Sequence, residues 1–339
     1  MAEETKDVLI IGAGLAGIMA ARVLQAQGVS VTVFDKSRSV GGRMATRRVG
    51  PGVADHGAQF FTVRTPEFQA MVDEWIREKI VFVWSHGFSD GSLQPLSFDG
   101  HPRHAVYGGM NALVKHLAAG VEDVRLDQQI FTATCDENGW ILQNQNGELF
   151  LGRALLMTPP VPQALKILEE GATILTEKDD AVLRPIEYVP SLTAMFLVEG
   201  RVTLPPPGVV QRRDTSSHIA WISDNQQKGI SPEATVITLQ ANDTFSAQMW
   251  PASDDRILNS FRTSLQIYMA DNAVVKQAEL KRWRFSRPTT TVDTRAYVAD
   301  NHPPLVFGGD AFGGPRVEGA VLSGIAAGEV MLEKIRALT

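Results

Sequence analysis

The apolar positions near the start of the chain change period twice within thirty residues. Val8 to Ile11 form a continuous apolar run, as in a strand buried on both faces, and IMAARVLQAQ then places its apolar residues at helical spacing. VSVTVFD returns to a short strand-like run that ends in an acid, so the segment predicts a strand–helix–strand unit. Farther on, PEFQAMVDEWIREK predicts an amphipathic helix with Phe68, Met71, Trp75 and Ile76 on its buried side, and GMNALVKHLAA predicts another that stops at Gly120. Asn138-Gly139 and Asn146-Gly147 are tight-hairpin dipeptides, and they divide residues 121–151 into a meander. The meander leads into the apolar strand ALLM, which Pro159 and Pro160 terminate. Beyond it the pattern changes to alternating strands (SLTAMFLVEG, TVITLQAND), a proline-rich turn at 204–208 and the helical stretch DDRILNSFRTSLQIYMAD.

Glycines inside the first unit give it a chemistry. Gly12, Gly14 and Gly17 stand in GxGxxG spacing between strand and helix. The first permits a tight turn, the second lets backbone approach a diphosphate, and the third lets helix and strand pack closely. Asp35 follows Gly17 by 18 residues at the end of the second strand, where a carboxylate accepts hydrogen bonds from a ribose diol. The next segment, KSRSVGGRMATRR, adds a flexible Gly41-Gly42 turn and Arg43, whose planar fork suits a phosphate. A second glycine-rich stretch, GGDAFGGPRVEGA, occupies 308–320. Only one helix fits after residue 320, too little for a second nucleotide unit, so both loops are expected to serve one ligand.

Composition narrows the classes. The 339 residues carry a net charge of -6 without a concentrated basic surface, which argues against a general nucleic-acid binder. Cys135, on a meander strand, is the single cysteine and is expected to be buried filler; disulfides and cysteine-built metal sites are excluded, and a reducing cytoplasm fits. The run VLIIGAGLAGIMAARVL follows Glu3, Glu4 and Asp7 and contains Arg22, so it does not read as an export signal. No other segment approaches the ~20 apolar residues of a membrane span. His56, His86, His101, His104, His116, His218 and His302 show no HxxxH spacing, and no metal is expected.

The glycine pair close behind the ribose-binding acid resembles the amine oxidase and glutathione reductase superfamily of flavoproteins, which favours FAD over NAD. Across most of the chain, GAGLAG, FDKSRSVGGRM, DHGAQFFTVR, GGMNALVKHL, LLMTPPVPQAL, WISDN, KRWRFSRPT and VFGGDAFGGPRVEGAVLSG occur in the order found in the renalases, with GAQFFT and WRFSRP the most specific. The resemblance implies an α/β fold with a discontinuous, Rossmann-like FAD-binding domain (1–51, 105–160, 286–339) and a mixed α+β substrate domain carrying an antiparallel sheet (52–104, 161–285). It implies noncovalent FAD held at Gly12, Gly14, Leu15, Ala16, Gly17, Asp35, Lys36, Gly42, Arg43, Met44, Gln59, Phe60, Ile130, Thr158, Gly309, Asp310, Val317, Glu318 and Ala320. The helix start at 317–320 is expected to stabilise negative charge on the flavin ring.

Gln59, Phe60, Gln240, Trp283 and Arg284 are the candidates for lining the substrate cavity, and Arg287 precedes the last strand. Gln240 stands where the family's substrate sheet carries histidine. The activity implied is oxidation of isomeric dihydronicotinamide dinucleotides, with O2 reduced to H2O2 and no nucleic acid or membrane partner. An amine oxidase or another flavin dehydrogenase or desaturase of the same scaffold remains an alternative. So does a flavin-binding sensor or assembly factor without turnover.

Overall fold

In the computed structural model, residues 5–91, 100–212, 217–300 and 303–338 are described; Glu3, Glu4 and His302 lie outside them, as does 92–99 of the expected substrate domain. The chain divides into two compact units, one of 1–42, 114–188 and 287–339 and the other of 43–113 and 189–286.

The first unit is built on a parallel sheet. Lys6–Ile11 lies at its centre between Leu149–Met157 and Val31–Phe34; Leu305–Phe307 extends it parallel on one side and Val124–Arg125 on the other. The apolar run at the amino end is central because it is covered on both faces: Val8, Leu9 and Ile10 are at most 1% exposed. The meander forms from Ile130–Asp136, Gly139–Asn144 and Leu149–Met157 in antiparallel register, turning at Asn138-Gly139 and Asn146-Gly147. Cys135 is half-buried against the core rather than fully enclosed, lying one residue before the strand end that leads into the exposed Glu137 and Asn138. Helix Leu15–Gln25 meets the long helix Val317–Arg336 so closely that a Cβ at Gly324 would strike the backbone of Ala16.

The second unit is organised by a five-stranded sheet in the order Val209–Gln211, Ile219–Asp224, Thr235–Ala241, Tyr188–Glu199, Val274–Pro288. Its first four strands pair antiparallel. Period-two alternation sorts its side chains. Ala194 and Phe196 pack with Ile257, Phe261 and Leu265 of helix Asp254–Gln266, whereas Met195 and Leu197 pack with Val49 and Ala54 of the hairpin Thr46–Val49/Gly52–Asp55.

The expected domain boundaries fall elsewhere: 43–51, 105–113 and Ser286 lie in the second unit and 161–188 in the first, and two of these shifts have a packing reason. Val49 and Ala54 bury themselves on the five-stranded sheet, so the hairpin groups with the second unit and not with residues 1–42. Helix Val161–Glu170 places Val161, Ala164, Leu165 and Leu168 in one core with Trp140 and Leu155, so 161–188 joins the first unit. The expected face of helix Pro66–Arg77 also shifts. Phe68, Val72 and Trp75 are buried in i, i+4, i+7 spacing, Met71 is half-buried and Ile76 is exposed.

Candidate cofactor and substrate sites

In the first unit the strand ends in a turn that only glycine fits well. Gly12 has a φ of 103°, and its N–H donates to the Phe34 carbonyl at 2.7 Å. A Cβ at Gly17 would run into the Gly12 carbonyl, whereas one at Gly14 would meet nothing within 4 Å. Gly14 is the N-cap of Leu15–Gln25 and supplies no side-chain cap, and the first intrahelical bond runs from Ile18 N–H to the Gly14 carbonyl. Open space over uncapped N–H groups at a helix start is the shape and polarity that a phosphate requires. Asp35 braces this turn: Oδ2 accepts from Ala13 N–H at 2.8 Å and Oδ1 from Ser37 N–H at 2.8 Å.

The later segments gather around the same turn. Gly41 N–H donates to the Ala13 carbonyl at 2.8 Å, and a Cβ at Gly42 would lie 3.6 Å from Gly14 Cα. Thr158 Oγ1 donates to the carbonyls of Ile11 and Gly12 at 2.8 and 3.1 Å, and a Cβ at Gly309 would sit 3.6 Å from the Thr158 carbonyl. The early loop, the GG turn and the late stretch are therefore neighbours within one unit. Asp310 opens the short helix Asp310–Gly313; Val317, Glu318 and Ala320 occupy the first turn of Val317–Arg336. Lys36 is exposed, and Leu15, Ala16 and Ile130 are buried. The open space at Gly14 and the uncapped helix start beside it have the shape and polarity that suit the diphosphate of FAD.

Arg43, Met44, Gln59 and Phe60 belong to the second unit. Arg43 Nη1 donates to the Ser286 carbonyl at 3.2 Å, and Met44 is buried. The segment 55–61 is held by a hub at Asp55. Its Oδ1 accepts from Thr46 Oγ1 at 2.5 Å and Met110 N–H at 2.8 Å; its Oδ2 accepts from Lys228 Nζ at 2.6 Å. Both charged side chains of that ion pair are 0% exposed. Lys228 Nζ also donates to the Gln59 carbonyl at 2.5 Å and lies 4.8 Å from the centre of the Trp84 ring. Burial pulls the Lys228 ammonium below its ordinary pKa, and Asp55 opposes that shift.

The Gln59 amide is committed to the protein. Its Nε2 donates to the carbonyls of Asp55 and Gly57 at 2.8 and 3.2 Å, and its Oε1 accepts from Ser223 Oγ at 3.1 Å. Gln240, expected as an altered substrate contact, also holds this segment, donating from Nε2 to the Gly57 carbonyl at 2.8 Å. Phe60 is half-buried and stacks on Trp221 at 5.5 Å, edge-on to Phe88 at 5.1 Å, with Trp84 alongside. Arg103 lies 6.0 Å from the Phe60 ring centre and 5.9 Å from that of Phe88.

Trp283 is anchored to the same segment, its Nε1 donating to the His56 carbonyl at 2.8 Å while the two rings stack at 5.4 Å. Lys281 Nζ lies 4.6 Å from the Trp283 ring centre. His56 is buried and its pKa is pushed down to about 3, first by burial and then by the cations of Lys281 and Arg47. Arg284, one residue after Trp283 and so on the other face of the strand, is exposed, its guanidinium 5.9 Å from the centre of the Phe285 ring, and Arg287 is exposed in the first unit.

Asp55, His56, Lys228 and Lys281 were not legible as site residues. Asp55 and His56 carried a weak signal, two polar residues side by side before GAQFF, but Lys228 sits in NQQKG, a stretch with the composition of a solvent-facing turn. Among the described residues no group of three or more His, Cys, Asp or Glu forms a metal site, and no helix is long and apolar enough to cross a membrane.

A family model for NAD(P)-binding Rossmann-like domains matches residues 10–75, and one for flavin containing amine oxidoreductases matches 79–332. Putrescine oxidase of Kocuria rosea is 35% identical over 105 residues, 31% of this chain and 21% of that protein. L-amino-acid oxidase of Echis ocellatus is 41% identical over 75 residues, 22% of this chain and 14% of that protein. The matched stretches thus span about a fifth or less of these relatives. A candidate protoporphyrinogen oxidase from Exiguobacterium sp. 255-15 superposes with a TM-score of 0.72 at 14% identity, covering 97% of this chain and 99% of the other. Putrescine oxidase with bound putrescine gives 0.67 at 14% identity, with 97% and 99% coverage. Likeness at that identity establishes the fold, a Rossmann-like domain with a mixed domain carrying an antiparallel sheet.

Proposed function

The chain belongs to the flavin containing amine oxidoreductase family, for which FAD is the cofactor, and we propose that within it this protein is a renalase-like oxidase of isomeric dihydronicotinamide dinucleotides. In this reading the unit with the glycine turn holds FAD noncovalently, the other receives the substrate, and the protein works in the cytoplasm. FAD, when bound, supplies the two-electron acceptor, with O2 as the final sink to H2O2. The chain's own residues bind and orient the donor ring, exclude water and tolerate the substrate's negative charge.

One observation carries the choice of substrate: the aromatic faces of the second unit already bear the chain's own cations. Lys228 lies over Trp84, Arg103 over Phe60 and Phe88, and Lys281 over Trp283. An amine arrives as an ammonium and seeks an aromatic face or a carboxylate. At Trp283 it would meet the ammonium of the half-buried Lys281, whereas a dinucleotide brings a diphosphate that this charge attracts; Lys228 and Arg103 are buried, and Asp55 balances Lys228. The GAQFFT and WRFSRP segments, similar to those of renalases, point the same way.

Anaerobic mixing of the FAD-loaded protein with 6-dihydro-NAD, 2-dihydro-NAD, ordinary NADH and a panel of amines tests this reading through loss of flavin absorbance. Fast bleaching by one of the isomeric dinucleotides is expected. Bleaching by an amine alone would replace it with an amine oxidase, bleaching by NADH with a reductase, and no bleaching by any donor with a binding protein.

A further inference from the structure

We propose that Trp221 and Thr193 form a subsite for the carboxamide of the dihydronicotinamide ring, the indole N–H donating to its oxygen and the hydroxyl accepting from its amino group; this deepens the dinucleotide reading and rests on it. Three observations within the second unit support the assignment.

The first is register. Across the adjacent strands Ile219–Asp224, Thr235–Ala241 and Tyr188–Glu199, Trp221 and Thr193 each stand opposite Gln240, so the three side chains form one row on one face of the sheet. That face receives the 55–61 segment. In the next row Ser223 Oγ donates to Gln59 Oε1 and Thr238 Oγ1 to the Asp55 carbonyl, whereas Ala194 and Leu239 pack in the helix-covered core behind the sheet. Two strand spacings, about 10 Å, separate the backbones of Trp221 and Thr193. A planar amide with a hydrogen bond at each end fits within that span.

The second is unmet hydrogen-bonding capacity at both ends of the row. Trp221 is 5% exposed and Thr193 0%, and among the described residues neither the indole Nε1 nor the hydroxyl Oγ1 has a hydrogen-bond partner. A buried polar group in that state destabilises the fold, and a valine of the same shape as Thr193 would not. Gln240 between them does not serve as the partner, since its Nε2 donates to the Gly57 carbonyl. The row is not sealed, because Gln240 is half-buried and so is Phe60, whose ring stacks on Trp221 at 5.5 Å and turns aside when the ligand enters. The main chain beside Phe60 stays in place, held by Lys228 on the Gln59 carbonyl and by the paired N–H···O bonds of Phe61 with His104.

The third is the chemistry of the pair. An indole N–H only donates, and a hydroxyl both donates and accepts. An ammonium brings donors alone and leaves the indole unmatched. A carboxylate or phosphate would carry charge against the rings of Phe60, Trp84 and Phe88 that pack around Trp221, a desolvation that two neutral groups do not offset. A neutral primary carboxamide brings an acceptor and a donor side by side and satisfies both groups.

Calorimetry on the FAD-loaded protein tests the proposal with NAD+, its thionicotinamide analogue (a weak acceptor in place of the carbonyl), its 3-acetylpyridine analogue (the carbonyl without the amino group) and nicotinic acid adenine dinucleotide (a carboxylate). Trp221→Phe should weaken NAD+ and the acetylpyridine analogue about tenfold alike, the loss of one hydrogen bond, and leave the thio analogue little changed. Thr193→Val should weaken NAD+ by a similar factor and leave the acetylpyridine analogue unchanged, while Thr193→Ser, which keeps the hydroxyl, should retain most of the affinity. The melting temperature of ligand-free Thr193→Val should hold or rise, because an unmatched buried group has gone; a merely structural hydroxyl would make it fall. Unchanged NAD+ affinity in both Trp221→Phe and Thr193→Val overturns the proposal, as does a native protein that binds none of the probes. Equal losses for every probe would mean a packing role and overturn it as well, and a carboxylate bound as tightly as NAD+ overturns the carboxamide assignment. If the pattern of losses holds but isomeric dinucleotides fail to bleach the flavin, only the reaction is lost. Bleaching whose saturation is indifferent to both substitutions removes only the subsite.

Discussion

The two units prepare for ligands by opposite means. In the first, the turn after Lys6–Ile11 offers backbone: a glycine at positive φ, a second with open space above it and a helix start with no side-chain cap. In the second, Asp55, Lys228, Gln59 and Gln240 hold one short segment by side-chain hydrogen bonds, most of them buried. A backbone cradle fails when atoms are added to it. A buried side-chain hub fails when atoms are removed, because each partner then loses what compensates its burial.

The largest effect is therefore expected at the hub. Asp55→Ala leaves the Lys228 ammonium 0% exposed and without its carboxylate, at a cost of about 3–5 kcal/mol. Urea unfolding would show this as a lower midpoint at unchanged slope. The double variant Asp55→Ala with Lys228→Met should recover much of the loss, since it removes the orphaned charge along with its partner. Equal loss in the single and double variants would mean that the pair does not govern the segment, and the contrast between the units would fail.

That contrast also explains what could be read in the sequence. A backbone turn announces itself, because glycines at fixed spacing between a strand and a helix have few other uses; the turn at Gly12, Gly14 and Gly17 was legible for that reason, while Asp35, expected at a ribose diol, accepts from Ala13 and Ser37 N–H. The strands SLTAMFLVEG and TVITLQAND were legible too, and with them the antiparallel sheet; the faces of Ala194 and Phe196 against Met195 and Leu197 were not, since 194–198 is apolar throughout. Pairing across 173 residues was not, because nothing local to NQQKG distinguishes a buried lysine from a solvated one. Nor could the pattern assign residues 161–188 to a unit, since an amphipathic helix shows that it has a buried face but not which core covers it. Gln59 and Gln240 were singled out as cavity residues, and their amides instead tie down the 55–61 segment.

The cradle can be broken in two separable ways. Gly17→Ala drives a Cβ into the Gly12 carbonyl, so the strand–helix packing must open at a cost of roughly 3 kcal/mol, the upper end for overpacking. Gly14→Ala meets open space and an allowed backbone, φ -78°. Its stability should stay within about 1 kcal/mol of the native protein. Its FAD affinity should nevertheless fall, because the added methyl stands where a diphosphate approaches the backbone. Melting of the apoprotein and fluorescence titration with FAD separate the two effects. A Gly14→Ala protein that binds FAD normally would show that the cofactor does not lie over this turn.

The last effect concerns acid, and it should appear in the second unit. His56 has an ordinary pKa of 6.5 and is pushed down to about 3 in the fold, chiefly by burial. A histidine held neutral contributes its full stabilisation above the unfolded value and loses it as pH falls from 6.5 towards 3, because the unfolded chain takes up the proton first. At pH 5 the difference amounts to about 2 kcal/mol. Urea midpoints at pH 7 and pH 5 should therefore fall more steeply for the native protein than for His56→Gln, which cannot titrate. Hydrogen exchange adds the spatial half of the test, since amides of the 55–61 segment should lose protection at pH 5 before those of the central strand Lys6–Ile11. Parallel midpoints would mean that the imidazole is protonated in place, and that acid does not distinguish the side-chain hub from the backbone cradle.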